Sequence, residues 1–406
     1  MSFNIALSGL NAATSDLDVT ANNIANVGTN GFKGSRAEFA SMFSASTYDV
    51  GSVAIGSGVR LTTVAQQFGQ GSIDTTSNSL DMALSGQGFF TLHDGNGYAY
   101  TRAGAFQTDR NGYVVNPQGQ NLQVYPRLAG GGFDRSRLVN LQLLTSQSAP
   151  VATSSAQLSV NLPANATVPT TTPFSPTVPS SFNQSTSFTV YDSLGAIHTA
   201  SIYFTKTAAS GTWNANLYID GTAAGTAQPI SFDSRGKLTT PANGQLAFPA
   251  VTINPNAQPL SVTMDLSKAT QFGSNFSVTS ISQNGYPSGT MTGVAVAANG
   301  VVSARFSNGQ STSLGQVALA NFADPQGLQK LGNTNWSESF QSGAAVRGVA
   351  AGGTFGQIQS GSLEGSNVDL TAQLVHMIQA QRNYQANAQM IQTDRTVTNT
   401  IINMRS

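Results

Sequence analysis

Apolar positions follow a period of seven at the two ends of the chain and a period of two between them. Phe3, Leu10, Leu17 and Ile24 stand seven apart, and Ala6, Ala13, Thr20 and Val27 follow each by three. That pattern predicts a helix whose second contact position is small, so that another helix can come close. Gly28 and Asn30-Gly31 stop it, because these residues readily take positive φ. At the other end no Gly or Pro occurs from Ser366 to Ser406. Ser366 or Asn367 is the expected cap, with Asp369 in the first turn where the helix N-terminus favours negative charge. The apolar stripe then reads Leu370, Leu374, Met377, Tyr384, Ala388, Ile391, Thr398 and Ile402, interrupted by Gln381 and Arg395. The run is long enough for a helix of roughly 50 Å. Each helix is marginal alone and carries one stripe, so the termini are expected to pair as a coiled coil.

Between the helices the period changes. Phe90 and Leu92, Tyr98 and Tyr100, Tyr113 and Val115, and Leu122 and Val124 alternate on short predicted strands. Asp94-Gly95-Asn96-Gly97, Asn111-Gly112 and Pro117-Gln118-Gly119 supply the turns. Stronger alternation follows at Phe188 to Val190, Ala200 to Phe204, Trp213 to Ile219 and Leu260 to Leu266, after a Pro/Thr/Ser-rich surface stretch at 163–179. From Asn284 onward, short strands separated by Asn-Gly turns return, as in 72–148. The fold class this predicts is mainly β with α-helical termini and nested β domains. The divisions are a helix at 1–30, an extended connector with a hairpin at 31–71, and a β domain at 72–148. An inserted outer β domain at 149–283 follows, then the rest of the first β domain at 284–357, a connector at 358–366 and the C-terminal helix at 367–406.

Composition changes the picture in one respect. Charged residues make up 9% of the 406, with a net charge of zero, against a usual value of about 25%. The outer face of the C-terminal helix carries Asn383, Gln385, Asn387, Gln389 and Gln392 where a solvated helix carries Lys and Glu. A neutral, weakly charged surface does little to keep copies apart, which points to self-association. The absence of cysteine excludes disulfides and thiolate chemistry. No apolar run reaches membrane-spanning length, no basic patch suits nucleic acid, and Met1-Ser2-Phe3-Asn4 does not read as a secretory signal.

Candidate chemistry is sparse. His93, His198 and His376 are far apart and have no partners at metal-ligand spacing. No nucleophile elbow, phosphate loop or dinucleotide fingerprint occurs. Asp94-Gly95-Asn96 and Asp109-Arg110-Asn111 begin like calcium loops without the later acidic positions, and read as turns. The expectation is no enzyme, no metal and no cofactor.

Three stretches carry a resemblance. Ser8-Gly9-Leu10 with Asn22, Asn23, Ile24, Ala25, Asn26, Val27, Gly28, Thr29, Asn30, Gly31, Phe32 and Lys33 resembles the N-terminal signature of the bacterial flagellar rod and hook protein family. Leu80 to Phe90 with Tyr100-Thr101-Arg102-Ala103-Gly104-Ala105-Phe106 is similar to that family's first β domain. Leu363 to Leu370 with Gln379 to Asn387 is similar to its C-terminal signature. The inserted domain, with Val190-Tyr191-Asp192-Ser193-Leu194-Gly195 and His198, resembles the hook branch rather than the shorter rod proteins.

The resemblance implies a structural subunit that polymerises with many copies of itself into a curved, flexible tube. Such a tube is a universal joint that passes torque from motor and rod to filament. It also implies export through the flagellar type III apparatus without a cleaved signal, and a place in the hook outside the cell. The implied neighbours are the rod at the proximal end, and the hook cap and hook–filament junction proteins at the distal end. The helix stripes Phe3, Leu10, Leu17, Ile24, Leu370, Leu374, Met377, Tyr384, Ile391 and Ile402 are the expected assembly residues. The alternatives are another flagellar axial protein, or an adhesin or glycan-binding β protein using exposed Trp213 and Tyr218.

Overall fold

The computed structural model describes residues 2–42, 56–95, 97–143 and 147–404. Two compact units divide the chain: residues 1–144, 293–305 and 311–406 form the first, and residues 145–292 with 306–310 the second. The expected hairpin connector lies partly outside the described residues, and so do Asn96 and Met1.

In the first unit, helix α1 (Ser2–Ala25) packs against helix α2 (Leu370–Asn403) and against a hairpin of β1 (Ser35–Met42) and β2 (Gly58–Gln66). Asp369 is the cap of α2: its carboxylate accepts from Thr371 N at 2.8 Å and Ala372 N at 3.1 Å. The expected caps Ser366 and Asn367 lie just before it. Asn367 has a different task, accepting from Gly34 N at 2.8 Å and donating to Gln67 O at 2.7 Å.

The β body of this unit is one large sheet. Along it Met291–Val296, Val301–Phe306, Ser311–Asn321, Asn121–Pro126, Phe89–His93, Tyr98–Thr101, Asn335–Ser337 and Gln329–Gly332 lie side by side. Ser311–Asn321 pairs antiparallel with both Asn121–Pro126 and Phe89–His93, so chain from either side of the insertion shares one sheet. Phe89, Tyr100, Phe322, Leu328 and Trp336 form an aromatic core cluster there. The stretch 358–366, expected as a connector, is largely strand: Gln357–Ser360 pairs with Met82–Ser85, and Ser362–Glu364 with Ile73–Thr75. These strands are three or four residues long, too short for alternation to register.

The second unit is a two-sheet β structure. Gln184–Tyr191, Ile197–Lys206, Thr212–Ile219, Gln228–Phe232 and Leu238–Thr240 form an antiparallel sheet in that order. Ser155–Pro163 is the centre of the other, pairing parallel with Thr263–Asp265 and Thr270–Phe272 and antiparallel with Ser277–Gln283. Strict alternation along Thr212–Ile219 buries Trp213, Ala215, Leu217 and Ile219 between the sheets. Trp213 is fully buried, which corrects its reading as an exposed contact. Tyr218, on the opposite face, packs edge-on against Tyr203 at 5.8 Å, and Phe174 of the Pro/Thr-rich stretch lies over both rings.

Candidate functional site

Two features of the first unit bear on function: the α1–α2 seam, and a buried ionic cluster beneath its open end. The seam is antiparallel. Gly9 faces Asn387, Thr20 Oγ1 lies 3.3 Å from His376 Nδ1, and Asn23 Nδ2 donates to Gln373 Oε1 at 3.1 Å. A Cβ on Gly9 would fall 2.5 Å from Asn387 Oδ1, so the glycine is what lets this polar side chain reach the partner helix.

The buried α1 residues are therefore the small and polar positions Ala6, Ala13, Thr20 and Asn23. The larger stripe is less covered: Leu10, Leu17 and Ile24 are half-buried, and Phe3 is exposed. On α2 the covered positions are Gln373, Met377, Ala380, Asn387, Ala388, Ile391 and Asp394. The seven-residue spacing of Leu370, Met377, Tyr384 and Ile391 is present, but the second row stands three residues on, at Gln373, Ala380 and Asn387, instead of four. Leu374 consequently points away from α1, and Ile402 lies beyond the stretch that α1 covers; both are exposed, as are Leu370 and Tyr384. Small residues on α1 select this register, because they admit Gln and Asn where two apolar stripes would have excluded them. Carried on in the same register, α1 begins opposite Asp394. All residues from Arg395 to Met404 are exposed.

The overhanging part of α2 is built without dangling hydroxyls. Thr393, Thr396, Thr398 and Thr400 each turn the side chain onto the carbonyl four residues back, at 2.8–2.9 Å. Their methyl groups join Val397, Ile401 and Ile402 on an exposed surface whose one charged residue among the described positions 395–404 is Arg395.

The motif residues at the end of α1 have structural explanations that the sequence does not disclose. Asn23 accepts from Ser35 N at 2.8 Å and donates to Ser35 O at 2.7 Å, tying β1 to the helix. Asn26 Nδ2 donates to Asn22 O at 2.9 Å, and Thr29 Oγ1 to Asn26 Oδ1 at 3.2 Å, closing the last turn. Gly31 has φ +69°, and its N–H donates to Glu364 O at 2.7 Å. A Cβ there would meet Ala103 N at 2.4 Å. Asn22 is exposed, Ala25 is exposed, and Phe32 is half-buried.

Below them lies the ionic cluster. Lys33 Nζ is 2.5 Å from Glu364 Oε1, and Arg102 Nη1 is 3.3 Å from Glu364 Oε2, with all three side chains almost wholly buried. Their remaining polar atoms are mostly satisfied by backbone. Lys33 donates to Gly69 O, Arg102 to Leu84 O and Gly86 O, and Gly71 N donates to Glu364. Burial pulls the Lys33 ammonium below its ordinary range, partly offset by Glu364, and the Arg102 guanidinium is lowered for the same reason. Each of the three recognisable sequence stretches contributes one member of this cluster. Sequence reasoning misses Lys33, Arg102 and Glu364 as a functional set. The signal available is a charged residue in each stretch of a chain otherwise nearly free of charge.

The second unit holds a smaller ionic group. His198 Nδ1 lies 2.6 Å from Asp220 Oδ2, and Nε2 lies 3.5 Å from Asp192 Oδ2. Asp192 also accepts from Leu194 N and Ala196 N at 2.9 and 2.8 Å, fixing the turn at Gly195. Among the described residues no group of acidic, His or Cys side chains is arranged to hold a metal.

Comparison with known proteins matches domain families along most of the chain. Residues 3–33 match the flagella basal body rod protein family, and 83–173 the flagellar hook protein FlgE/F/G D1 domain. Residues 161–286 match the flagellar basal body protein FlaE D2 domain, and 359–404 the flagellar basal body rod FlgEFG protein C-terminal family. The flagellar hook protein FlgE of Escherichia coli is 39% identical over the full length of both chains. This chain belongs to the flagellar hook protein family. The FlgE of Rhizobium meliloti is 33% identical, over 98% of this hook protein and 97% of the relative. Among solved structures, Helicobacter pylori flagellar hook protein FlgE2 aligns with a TM-score of 0.52 at 16% identity, covering 72% of this chain and all of that one. That likeness concerns the fold.

Proposed function

We propose that the chain is the structural subunit of a bacterial flagellar hook, a curved and flexible tube that joins rod to filament and transmits torque. The single observation that carries this reading is the end-to-end match to hook proteins, insertion included. The physical features agree with it. A helix pair meant for water would carry Lys and Glu outside. This one leaves Leu374, Tyr384, Val397, Ile401 and Ile402 exposed amid Asn, Gln and internally bonded Thr. Such a surface loses little on burial against other copies, because few charges need desolvating. The helix-stripe residues Phe3, Leu10, Leu17, Ile24, Leu370, Leu374, Met377, Tyr384, Ile391 and Ile402 are assigned to assembly on this basis. The partners are other copies, the rod, the hook cap and the junction proteins. The route is type III export without a cleaved signal, ending outside the cell.

Electron microscopy of tubes formed by the full chain tests the reading. Curved tubes of uniform width are expected. Straight tubes would assign the chain to the rod instead, and a chain that forms no tube is not a hook subunit. The glycan-binding reading loses its main contact, because Trp213 is part of the inter-sheet core.

A further inference from the structure

The paired helices carry few ionisable side chains, and two of these are left over. In α1 they are Asp16 and Asp18; in the stretch of α2 that α1 covers they are His376, Arg382, Tyr384 and Asp394. Asp16 Oδ2 lies 3.9 Å from His376 Nδ1 across the seam, and Asp394 is engaged within the chain. Asp18 and Arg382 are different. Both are exposed, and neither makes a hydrogen bond or ion pair with any described residue. One is negative and the other positive.

Their positions are opposed as well. Thr20 faces α2 through His376, and Asp18 stands two residues before it, about 200° round the helix. Ala380 is the α2 residue buried against α1, and Arg382 stands two residues after it, again about 200° round. Asp18 thus lies on the side of the helix pair away from α2, and Arg382 on the side away from α1. The seam register sets their heights. Thr20 meets His376 and Asn23 meets Gln373, so Asp18 is level with Ile378, four residues or about 6 Å from Arg382. The surroundings differ in size. Asp18 is flanked along its face by the small exposed residues Thr14, Ala21 and Ala25, and Arg382 by the larger Val375, Ile378 and Gln389. A face of small residues lets a second helix come close, and a face of larger ones fills the space.

Resting on the reading of the chain as a hook subunit, we infer that copies stand side by side with Arg382 of one paired to Asp18 of the next. Opposite charges on opposite faces of a two-helix slab make the contact heterologous, so every copy offers both halves and the row continues past two copies. Burying either charge alone between copies is costly, and burying them as a pair is far less so. The pair therefore selects which face meets which, and at what height. The uncharged side chains around it supply contact area without specifying a register.

Charge reversal in the full chain is the test. Neither residue has an ionic partner in the single chain, so Asp18→Arg and Arg382→Asp should keep the native helical circular dichroism and unfolding midpoint. Each alone sets like charges together between copies, and the concentration needed to form tubes should rise about a hundredfold. The chain carrying both reversals should assemble within about tenfold of the native concentration. So should an equimolar mixture of the two single variants, because alternating copies restore opposite charges at every contact. Single variants that assemble like the native chain overturn the inference, as does a double variant or a mixture as defective as the singles. If a reversal lowers the helical signal, the neutral changes Asp18→Asn and Arg382→Gln decide. A double neutral variant no worse than either single supports the pair, and additive losses overturn it. Tubes that ignore all these substitutions leave the hook reading standing, whereas a native chain that forms no tubes removes both.

Discussion

Lys33 and Glu364 form a buried ion pair, Nζ to Oε1 at 2.5 Å, between segments separated by nearly the whole chain. With Arg102 on the other carboxylate oxygen, one acidic group holds the exit of α1, the first β domain and the approach to α2. Replacing such a cluster by apolar groups can be neutral, but removing one partner strands the others. Glu364→Gln would leave two cations buried beside each other. The expected loss is about 3–5 kcal/mol, read by urea unfolding of the full chain. Lys33 already sits below its ordinary range because of burial. A lowered folded pKa means that the unfolded chain binds more protons at alkaline pH, so stability attributable to this group rises with pH below about 10.5. Glu364 raises the Lys33 pKa, so its removal lowers that pKa further. The variant then gains more stability with rising pH than the native chain does, and the defect of Glu364→Gln should shrink from about pH 7 toward about pH 10. A loss under about 1 kcal/mol at neutral pH would mean that the cluster does not couple the segments.

Gly31 tests the same region through backbone geometry. Its positive φ and the 2.4 Å approach of a would-be Cβ to Ala103 N leave no space for any side chain. Backbone cannot swing aside as a side-chain tip can. Gly31→Ala should cost about 2–4 kcal/mol, combining the conformational penalty with overpacking. Gly28→Ala is the control, because nothing lies within 4 Å of its Cβ position. Equal unfolding midpoints for the two variants would contradict the close-approach argument.

Some parts of this fold are more legible in the sequence than others, for physical reasons. The helices are legible because a seven-residue repeat without Gly or Pro has few other solutions. The inserted domain is legible because its strands, such as Thr212–Ile219, alternate strictly. The seam register is not: apolar residues alone place Leu374 and Ile402 in it, whereas Gly9 admits Asn387 and Asn23 pairs with Gln373. Strands Gln357–Ser360 and Ser362–Glu364 look like connector because they are short and broken by Gly361. The ionic cluster is beyond reach in another way. Each of its members is visible as a charge, but nothing local says that Lys33, Arg102 and Glu364 meet.

His198 makes the second unit sensitive to pH. Burial works against its positive form, but the hydrogen bond to Asp220 and the nearby Asp192 carboxylate outweigh that and raise its pKa above 6.5. A raised folded pKa stabilises fully below about pH 6.5 and ceases to do so as pH rises through the folded value. Both aspartates are lowered: burial opposes this, but the backbone N–H groups of Ala196 and Leu194, with His198 nearby, prevail for Asp192, and hydrogen bonds from His198 and the Thr199 N–H prevail for Asp220. Their contribution is present above pH 3.8 and is lost as pH falls through their folded values. The stability difference between the native chain and His198→Gln should thus be largest between about pH 4 and pH 6.5 and shrink at about pH 9. Unfolding midpoints at about pH 5 and about pH 9 give the comparison. Equal differences at the two values would rule out an ionic role for His198.

Leu374 separates folding from assembly. It lies four residues from Leu370 and three from Met377, yet it is turned from α1 and is 40% exposed in the single chain. Substituting an exposed helical Leu by Asp changes stability little when no tertiary contact is lost, within about 1 kcal/mol. Within a tube the same carboxylate would face another copy, where an unpaired charge costs several kcal/mol. Leu374→Asp should therefore unfold at nearly the native denaturant concentration and still fail to form tubes. Ala380→Asp is the contrasting case. Ala380 is buried against α1, so a charge there should damage the α1–α2 pair in the isolated chain, visible as lost helical circular dichroism. Tubes of normal length from Leu374→Asp would show that this face of α2 meets solvent in the polymer. The assembly surface would then have to lie on the overhang from Arg395 to Met404.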